Sequence, residues 1–310
     1  MKKFYIYAYS MGSKGANLLK EELSCQLIKR EGSQFSPSPD KIVINWGASD
    51  CPASYNAINK NVKGALNKGT FFDRLKGTGC VPKFATSKLE AAATLKFPIF
   101  CRTKLEGKDG EGIKIAETWN DLVEAKLYTQ FVDKTSEYRI HVGRGATGYE
   151  VIGAQKKIKK SVPDGENIPA DARIWGGDVY GLVWTANGQP VLIPDPVKAV
   201  VKKAFEKFPE LTFAAFDCIF NNSTGEAYVL EANTAPMGTP ETMKRYAKFF
   251  KSLHPDVGVE TPAATPASPA PAAASPVTNT ISPTPSLPVI TVEQVKAAQV
   301  VINAYIAQHS

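Results

Sequence analysis

Cysteine is scarce and unpaired in this chain. Cys25, Cys51, Cys80, Cys101 and Cys218 are odd in number and widely spaced, with no Cys-x-x-Cys among them. That pattern excludes a disulfide framework and a clustered zinc site, and it fits a reducing cytoplasm. Long hydrophobic runs are also missing. The first apolar stretch, Phe4 to Tyr9 behind Lys2 and Lys3, is too short for a signal peptide or a membrane span and reads as a strand. Gly12 and Gly15 do not complete a Gly-x-Gly-x-x-Gly fingerprint, and Gly12-Ser13-Lys14 lacks the rest of a P-loop. No nucleic-acid-binding module is present, and the run Lys156-Lys157-Ile158-Lys159-Lys160 reads as a solvated face.

Acid, too, is in short supply. The 310 residues carry a formal charge of +7, and beyond His254 a single base, Lys296, stands against Asp256, Glu260 and Glu293. The preceding body therefore carries about +9, which attracts polyanions such as nucleotides and acidic substrates.

What the chain has is a sequence of alternating strand and helix patterns. Phe4 to Tyr9, a helix from about Lys14 to Arg30 and the buried strand Lys41 to Trp46 predict an α/β lobe with a parallel sheet. Helices are expected over Lys68 to Leu75, Ser87 to Ala93, Trp119 to Lys126 and Pro196 to Phe208, and Thr239 to Leu253 closes the lobe. Strands are expected over Phe97 to Thr103, Gly110 to Ala116, Leu127 to Val132, Glu137 to Gly143 and Glu150 to Lys157. Between the first two of these strands lies Glu106-Gly107-Lys108-Asp109-Gly110-Glu111-Gly112, a flap whose backbone amides can approach phosphates unobstructed. From Thr261 to Pro288 the chain is almost wholly Pro, Ala, Ser and Thr, an extended linker. Thr291-Val292-Glu293-Gln294 then opens a terminal helix with Val295, Ala298, Ile302 and Tyr305 at a and d spacing, which suits docking on a partner or self-association through 291–308. The expected parts are 1–86, 87–155, 156–256, the linker 257–290 and the helix 291–310.

The most telling segment is Phe213 to Pro236. Two strands, Phe213 to Phe220 and Ala227 to Leu230, joined by Asn221-Asn222-Ser223-Thr224-Gly225, read as a β-hairpin. Asp217 interrupts an apolar run, where a carboxylate is costly to bury without a cation or donor. Glu231 and Asn233, two positions apart, add two oxygen ligands on the neighbouring strand, a hard-oxygen set suited to magnesium beside nucleotide phosphates.

Together the flap, the basic strands and Asp217, Glu231 and Asn233 resemble the ATP-grasp superfamily of carboxylate-amine ligases over roughly 68–250. Glu231-Ala232-Asn233-Thr234-Ala235-Pro236 resembles the metal strand and following loop of D-alanine:D-alanine ligases and of phage-encoded ATP-grasp proteins, although Met237 stands where glycine is usual. Glu137-Tyr138-Arg139-Ile140-His141-Val142 resembles a strand of the phage-type branch. The resemblance implies an α/β fold with α+β lobes: a pre-ATP-grasp lobe at 1–86, a small subdomain with the flap at 87–155 and a lobe with the metal site at 156–256. It implies ATP and Mg2+ as cofactors, with Mn2+ able to substitute, and Asp217, Glu231 and Asn233 as metal ligands. Arg102 stands where the family places a phosphate-binding lysine, with Lys104 as the alternative, and Arg139 resembles the arginine that faces the transferred phosphate. Gly107, Gly110 and Gly112 of the flap, Lys156 (favoured) or Lys157, Leu230, and the hinge Gln130-Phe131-Val132, through its backbone, would contact the nucleotide. Ser13, Lys14, the Trp46-Gly47 loop, Thr234 and Thr239 would face the substrates, and His141 reads as a packed histidine rather than a base.

The implied reaction phosphorylates a carboxylate with ATP and lets an amine attack the acyl-phosphate, giving an amide or peptide bond, ADP and phosphate. Phosphoryl transfer needs charge neutralisation and alignment more than covalent help, which this residue set can supply. The expected partners are a small-molecule, peptide or protein carboxylate and an amine, in the cytoplasm, or the host's if phage-encoded. The competing reading is a non-catalytic ATP-binding scaffold that presents the terminal helix on its tether.

Overall fold

The computed structural model describes residues 2–105, 111–159, 180–186, 189–236 and 239–258. Gly107 and Gly110 of the expected flap, Met237, and the linker and terminal helix from 259 onward lie outside the described residues.

The chain opens with β1 (Lys3–Ala8), α1 (Lys14–Leu23), β2 (Gln26–Leu27), β3 (Lys41–Trp46) and β4 (Ala57–Ile58), followed by α2 (Lys63–Leu66) and α3 (Lys68–Arg74). The four strands form the predicted parallel sheet, in the order β2-β1-β3-β4. Five successive residues of β3, Ile42 to Trp46, are buried, as expected of a sheet covered on both faces. Helix α1 starts where Ser13 Oγ accepts from Ala16 N at 3.3 Å. It ends at Ser24 in the left-handed region (φ 48°), well short of the predicted Arg30. Leu27 and Ile28 continue the helical apolar spacing, but the edge of β1 captures them: Gln26 and Leu27 pair with Tyr5 and Ile6, and Ile28 N donates to Ile6 O at 2.8 Å.

A second sheet follows, from β5 (Phe84–Ala85), β6 (Ile99–Arg102), β7 (Ile113–Ala116) and β8 (Leu127–Gln130), antiparallel in the order β5-β8-β6-β7 and backed by α4 (Lys88–Thr94). The helix predicted over Trp119 to Lys126 is only a single 3-10 turn, Trp119–Asp121. Asp121 Oδ2 closes the turn by accepting from Thr118 N at 2.9 Å, and the Tyr128 hydroxyl accepts from Ala125 N at 2.8 Å, taking an amide a helix would have needed.

The largest sheet holds β9 (Ser136–Gly145), β10 (Gly148–Lys159) and β11 (Tyr180–Val183); a small hairpin of β12 (Thr185–Ala186) and β13 (Gln189–Pro190) leads into α5 (Asp195–Glu206), β14 (Phe213–Phe220), β15 (Ala227–Asn233) and α6 (Pro240–Leu253). Its order is β11-β10-β9-β14-β15, all antiparallel. The 155/156 boundary falls inside β10, so β9 and β10 share a sheet with the hairpin β14-β15.

Two helices cover this sheet. Val197, Val201, Ala204 and Phe205 of α5 pack on one face, against Ile140, Val142, Phe216 and Val229. On the other face Tyr246, Phe249 and Phe250 of α6 pack with Phe213 and with Trp46 of β3, whose ring stacks on Phe213 at 5.5 Å. Asn59 (φ 56°) locks the first lobe to β14: its amide donates to Phe213 O at 2.8 Å and its Oδ1 accepts from Thr212 N and Phe213 N at 2.6 and 3.1 Å. Among the described residues no helix is long and apolar enough to cross a membrane.

Candidate functional site

Side-chain alternation divides the large sheet into a helix-covered face and a functional one. Tyr138, Ile140 and Val142 of β9 and Ala214, Phe216 and Cys218 of β14 belong to the core under α5. Glu137, Arg139 and His141, and Asp217 of β14, therefore point the other way, with Arg139 and Asp217 directly opposite in register. Along β15, strict alternation would put Val229 and Glu231 on one face. A β-bulge prevents this: Cys218 pairs with Val229 but Asp217 pairs with Glu231, leaving Leu230 as the extra residue. The bulge keeps Val229 in the core and turns Glu231 toward Asp217. Asn233 follows on that face, its Nδ2 lying 3.5 Å from Glu231 Oε1. The three predicted metal ligands are thus brought together by a pairing irregularity that residue spacing alone does not reveal.

Cations hold both carboxylates. Arg139 grips Asp217 with two hydrogen bonds, Nε to Oδ1 at 2.6 Å and Nη2 to Oδ2 at 2.8 Å. Burial works against the charged guanidinium, but Asp217 and then Glu231 outweigh it and raise its pKa, so Arg139 is permanently positive. Glu231 Oε2 is paired with Lys68 Nζ at 2.9 Å. Lys68 opens α3, capped by Asn67, and carried no signal in its local sequence.

Arg102, at the end of β6, also faces this region. Ile99 and Cys101 lie in the core beneath α4, which places Phe100 and Arg102 on the opposite face. Among the described residues its buried Nε has no hydrogen-bond partner, and burial lowers its pKa against the opposing influence of Glu231. Lys104 instead pairs with Glu111 on the surface, so Arg102 is the cation directed inward. On β10, Lys156 lies over the Tyr138 ring at 5.8 Å, on the α5 side, while Lys157 Nζ meets Glu137 Oε2 at 2.9 Å. Of the two lysines, Lys157 and not the favoured Lys156 shares the face of Glu137 and Arg139; the sequence shows the alternation of a strand but not which parity faces which way. Glu137 also pairs through Oε1 with Lys134, which the sequence did not single out. Glu137, Arg139, Lys157, Asp217 and Leu230 line one cavity.

Gln130 N donates to Lys83 O at 2.9 Å and Phe131 N to Pro98 O at 3.0 Å, so neither amide is available to a base. Gln130 pairs with Ile99, which sets its side chain on the α4 face, away from Arg102. Phe131 packs on Phe100 at 5.6 Å, giving an apolar wall on the Arg102 face, and Val132 N makes no backbone bond among the described residues. Gly112 (φ 75°) takes Thr103 N on its carbonyl at 2.8 Å and closes the root of the flap.

Of the substrate candidates, Ser13, Lys14 and Gly47 follow the carboxyl ends of β1 and β3, while Thr234 follows β15 and Thr239 precedes α6. Because β2 and β3 flank β1 on opposite sides, those carboxyl ends mark the crevice where a parallel sheet binds ligands. The Ser13 hydroxyl is spent on capping α1, and Lys14 beside it is exposed. Gly47 (φ 76°) approaches the loop after β15 so closely that a Cβ there would lie 2.6 Å from Ala235 Cβ. Thr234 is fully buried, and its Oγ1 has no partner among the described residues. Thr239 caps α6, accepting from Thr242 N at 3.2 Å and from Trp184 Nε1 at 3.3 Å. His141 is buried between Gln155 and Tyr246: Gln155 Oε1 can only accept, at 3.0 Å, so Nε2 carries the proton and Nδ1 receives the Tyr246 hydroxyl at 3.1 Å. Burial pushes its pKa down to about 3, which leaves it neutral and structural, as the sequence suggested.

Asp217, Glu231 and Asn233 fit a magnesium ion chemically, since two carboxylates and one amide oxygen leave room for phosphate oxygens and water. Among the described residues no three His, Cys, Asp or Glu side chains are grouped so as to hold a metal ion by themselves.

No family model matches the chain, and no curated protein is similar to it in sequence. Solved structures are similar in fold. N5-carboxyaminoimidazole synthetase from Staphylococcus aureus complexed with ADP superposes with a TM-score of 0.59 at 14% identity, over 82% of this chain and 78% of that one. Carboxyaminoimidazole ribonucleotide synthase from Aspergillus clavatus complexed with ATP gives 0.57 at 10% identity, over 83% and 78%. D-alanyl-alanine synthetase A from Vibrio cholerae O1 gives 0.54 at 14% identity, over 81% and 97%. The architecture of this chain is the mixed α/β ATP-grasp fold.

Proposed function

We propose that the protein is an ATP- and magnesium-dependent carboxylate-amine ligase that forms an amide or peptide bond through an acyl-phosphate. The observation that carries this reading is the buried Arg102 guanidinium in the field of Glu231, whose Nε has no hydrogen-bond partner among the described residues. A buried guanidinium with an open donor calls for an anion, and a polyphosphate between it and a metal on the carboxylates is the ligand that balances both signs.

In this reading Arg102 and Lys157 bind phosphate oxygens, Phe100 and Phe131 pack beside the base, and Val132 supplies the hinge contact. Asp217, Glu231 and Asn233 would hold the magnesium, which would supply charge neutralisation to the phosphates. Arg139 stands beside Asp217, where it can follow the charge of the phosphate as it passes to the substrate carboxylate. The acid and the amine bind between Lys14, the Gly47 turn and the Thr234 to Thr239 loop, and the basic body favours an acidic carboxylate substrate. The likeness of the Glu137 to Val142 strand to phage-encoded relatives belongs to this proposal as well. The neighbours named for C–N bond formation support the reaction class by analogy of fold.

The test is ADP release from ATP and Mg2+ with pooled amino acids and short peptides, beside Glu231→Gln. Stimulation by the pool that the substitution abolishes is expected. Release that is equal in the variant, or absent with every pool, contradicts the ligase reading.

A further inference from the structure

The loop that leaves β1 is firmly held, yet it turns two large apolar side chains to solvent. Tyr9 is 51% and Met11 42% exposed. Their backbone is bonded along its length: Tyr9 N donates to Trp46 O at 3.0 Å, Gly12 N to Ser10 Oγ at 3.2 Å and Ser13 N to Ser10 O at 3.1 Å. Asn17 Nδ2 of α1 donates to Met11 O and Ser13 O, both at 3.0 Å. Arg30 adds a second set of bonds. Its Nη1 donates to Ala8 O and Tyr9 O at 3.3 Å each, its Nη2 pairs with Asp50 of the loop after β3, and its guanidinium lies over the Tyr7 ring at 5.5 Å. One arginine thus ties together the two loops at the carboxyl ends of β1 and β3. An apolar side chain on a free loop can fold inward, whereas on a loop bonded in this way it stays in water until a ligand covers it.

The position of the ring points to that ligand. A Cβ built on Gly47 would lie 3.5 Å from Tyr9 Cδ1 and 2.6 Å from Ala235 Cβ. Tyr9, the Gly47 turn and Ala235 are therefore neighbours, and Ala235 stands two residues after Asn233, the last of the candidate metal ligands. Lys14, exposed, opens α1 at the end of the same loop. A fixed aromatic wall with a cation close by in the chain suits a carboxylate that carries an apolar side chain.

We propose that Tyr9 is a specificity-determining residue, the wall on which a large apolar side chain of an amino-acid or peptide substrate packs, and that Arg30 is the residue that positions it. The inference rests on the ligase reading above. The basic body answers the charge of such a substrate, and Tyr9 reads its side chain. Positioning by Arg30 matters because a ring already fixed loses little freedom when the substrate covers it.

The experiment uses the full chain and ADP release from ATP and Mg2+. The probes are matched in charge: phenylalanine and leucine against glycine and alanine, Ala-Phe and Ala-Leu against Ala-Gly and Ala-Ala, and Glu-Phe and Glu-Leu against Glu-Gly and Glu-Ala. The readout is the ratio of kcat/KM for large over small members of a class, in which the amount of active protein cancels. We expect a ratio of at least about ten in wild type, within the range that apolar pockets achieve. Tyr9→Ala should bring it close to unity, chiefly through KM, and Tyr9→Phe should keep it. Arg30→Met should lower it about threefold, the cost of ordering one side chain on binding. A wild-type ratio of unity or below, or one that Tyr9→Ala leaves as it was, refutes the role of Tyr9. An unmoved ratio in Arg30→Met refutes the positioning role. Wild type that releases no ADP above background with any probe refutes the ligase reading itself, and the inference with it.

Discussion

Asp217 and Arg139 offer a quantitative check on the electrostatics of the site. The Asp217 carboxylate interrupts an apolar strand, and Arg139 answers it with two charge-assisted hydrogen bonds of 2.6 and 2.8 Å. Removing one partner of a fully buried pair costs about 3–5 kcal/mol. The side chains here are 14% and 28% exposed, and Glu231 also lies near Arg139, so the lower end applies. Asp217→Ala should cost about 3 kcal/mol and Arg139→Met about 2 kcal/mol. The double variant should cost about 2 kcal/mol less than the sum, because it leaves no buried charge behind. For a body of this size, 3 kcal/mol lowers the melting temperature by roughly 6–12 °C. Urea unfolding of the four proteins in chelator, without nucleotide, measures the cycle. Single costs below about 0.5 kcal/mol that simply add would mean a solvated surface pair and would refute the reasoning.

Other consequences follow from the same geometry. The folded His141 pKa of about 3 lies below its unfolded value, so below pH 6.5 the unfolded chain takes up a proton that native His141 refuses. Stability should therefore fall by up to about 1.4 kcal/mol per pH unit on that account between pH 6.5 and 3, and His141→Gln should flatten the curve; parallel curves would be contrary. Asn59→Ala strands Thr212 N, Phe213 N and Phe213 O and should cost about 3 kcal/mol in urea unfolding, while Asn59→Gly, free of the left-handed backbone penalty, should cost about 1 kcal/mol less. Gly47→Ala combines that backbone penalty with a 2.6 Å approach to Ala235, so Ala235→Gly should restore only part of the lost stability; full rescue would show that the backbone angle is unimportant.

Much of the fold was legible because its signals are local. The strand Lys41–Trp46 matches its predicted limits, and the helix expected from Ser87 begins at Lys88. Asp217 was legible as a charge in an apolar run, although its counter-ion in the structure is Arg139, 78 residues away in sequence. What escaped detection depends on distant pairing. The helix predicted to Arg30 failed because apolar spacing at Leu27 and Ile28 suits a sheet edge as well as a helix. Which of Lys156 and Lys157 shares the face of Arg139 was not legible, because that parity is fixed only by the register of β10 on β9. Lys68 and Lys134 sit in ordinary sequence and gain meaning only from the carboxylates they meet across the fold. The bulge at Leu230 leaves no mark in composition, since any residue can occupy it.

The most direct test of a metal-linked nucleotide site is calorimetric titration of ATP into the protein with and without Mg2+, repeated with Glu231→Gln. The account predicts binding that Mg2+ strengthens at least about tenfold in wild type, and a Glu231→Gln variant that keeps nucleotide binding but loses most of that enhancement. No ATP binding by the wild type, or an undiminished Mg2+ effect in the variant, would contradict it.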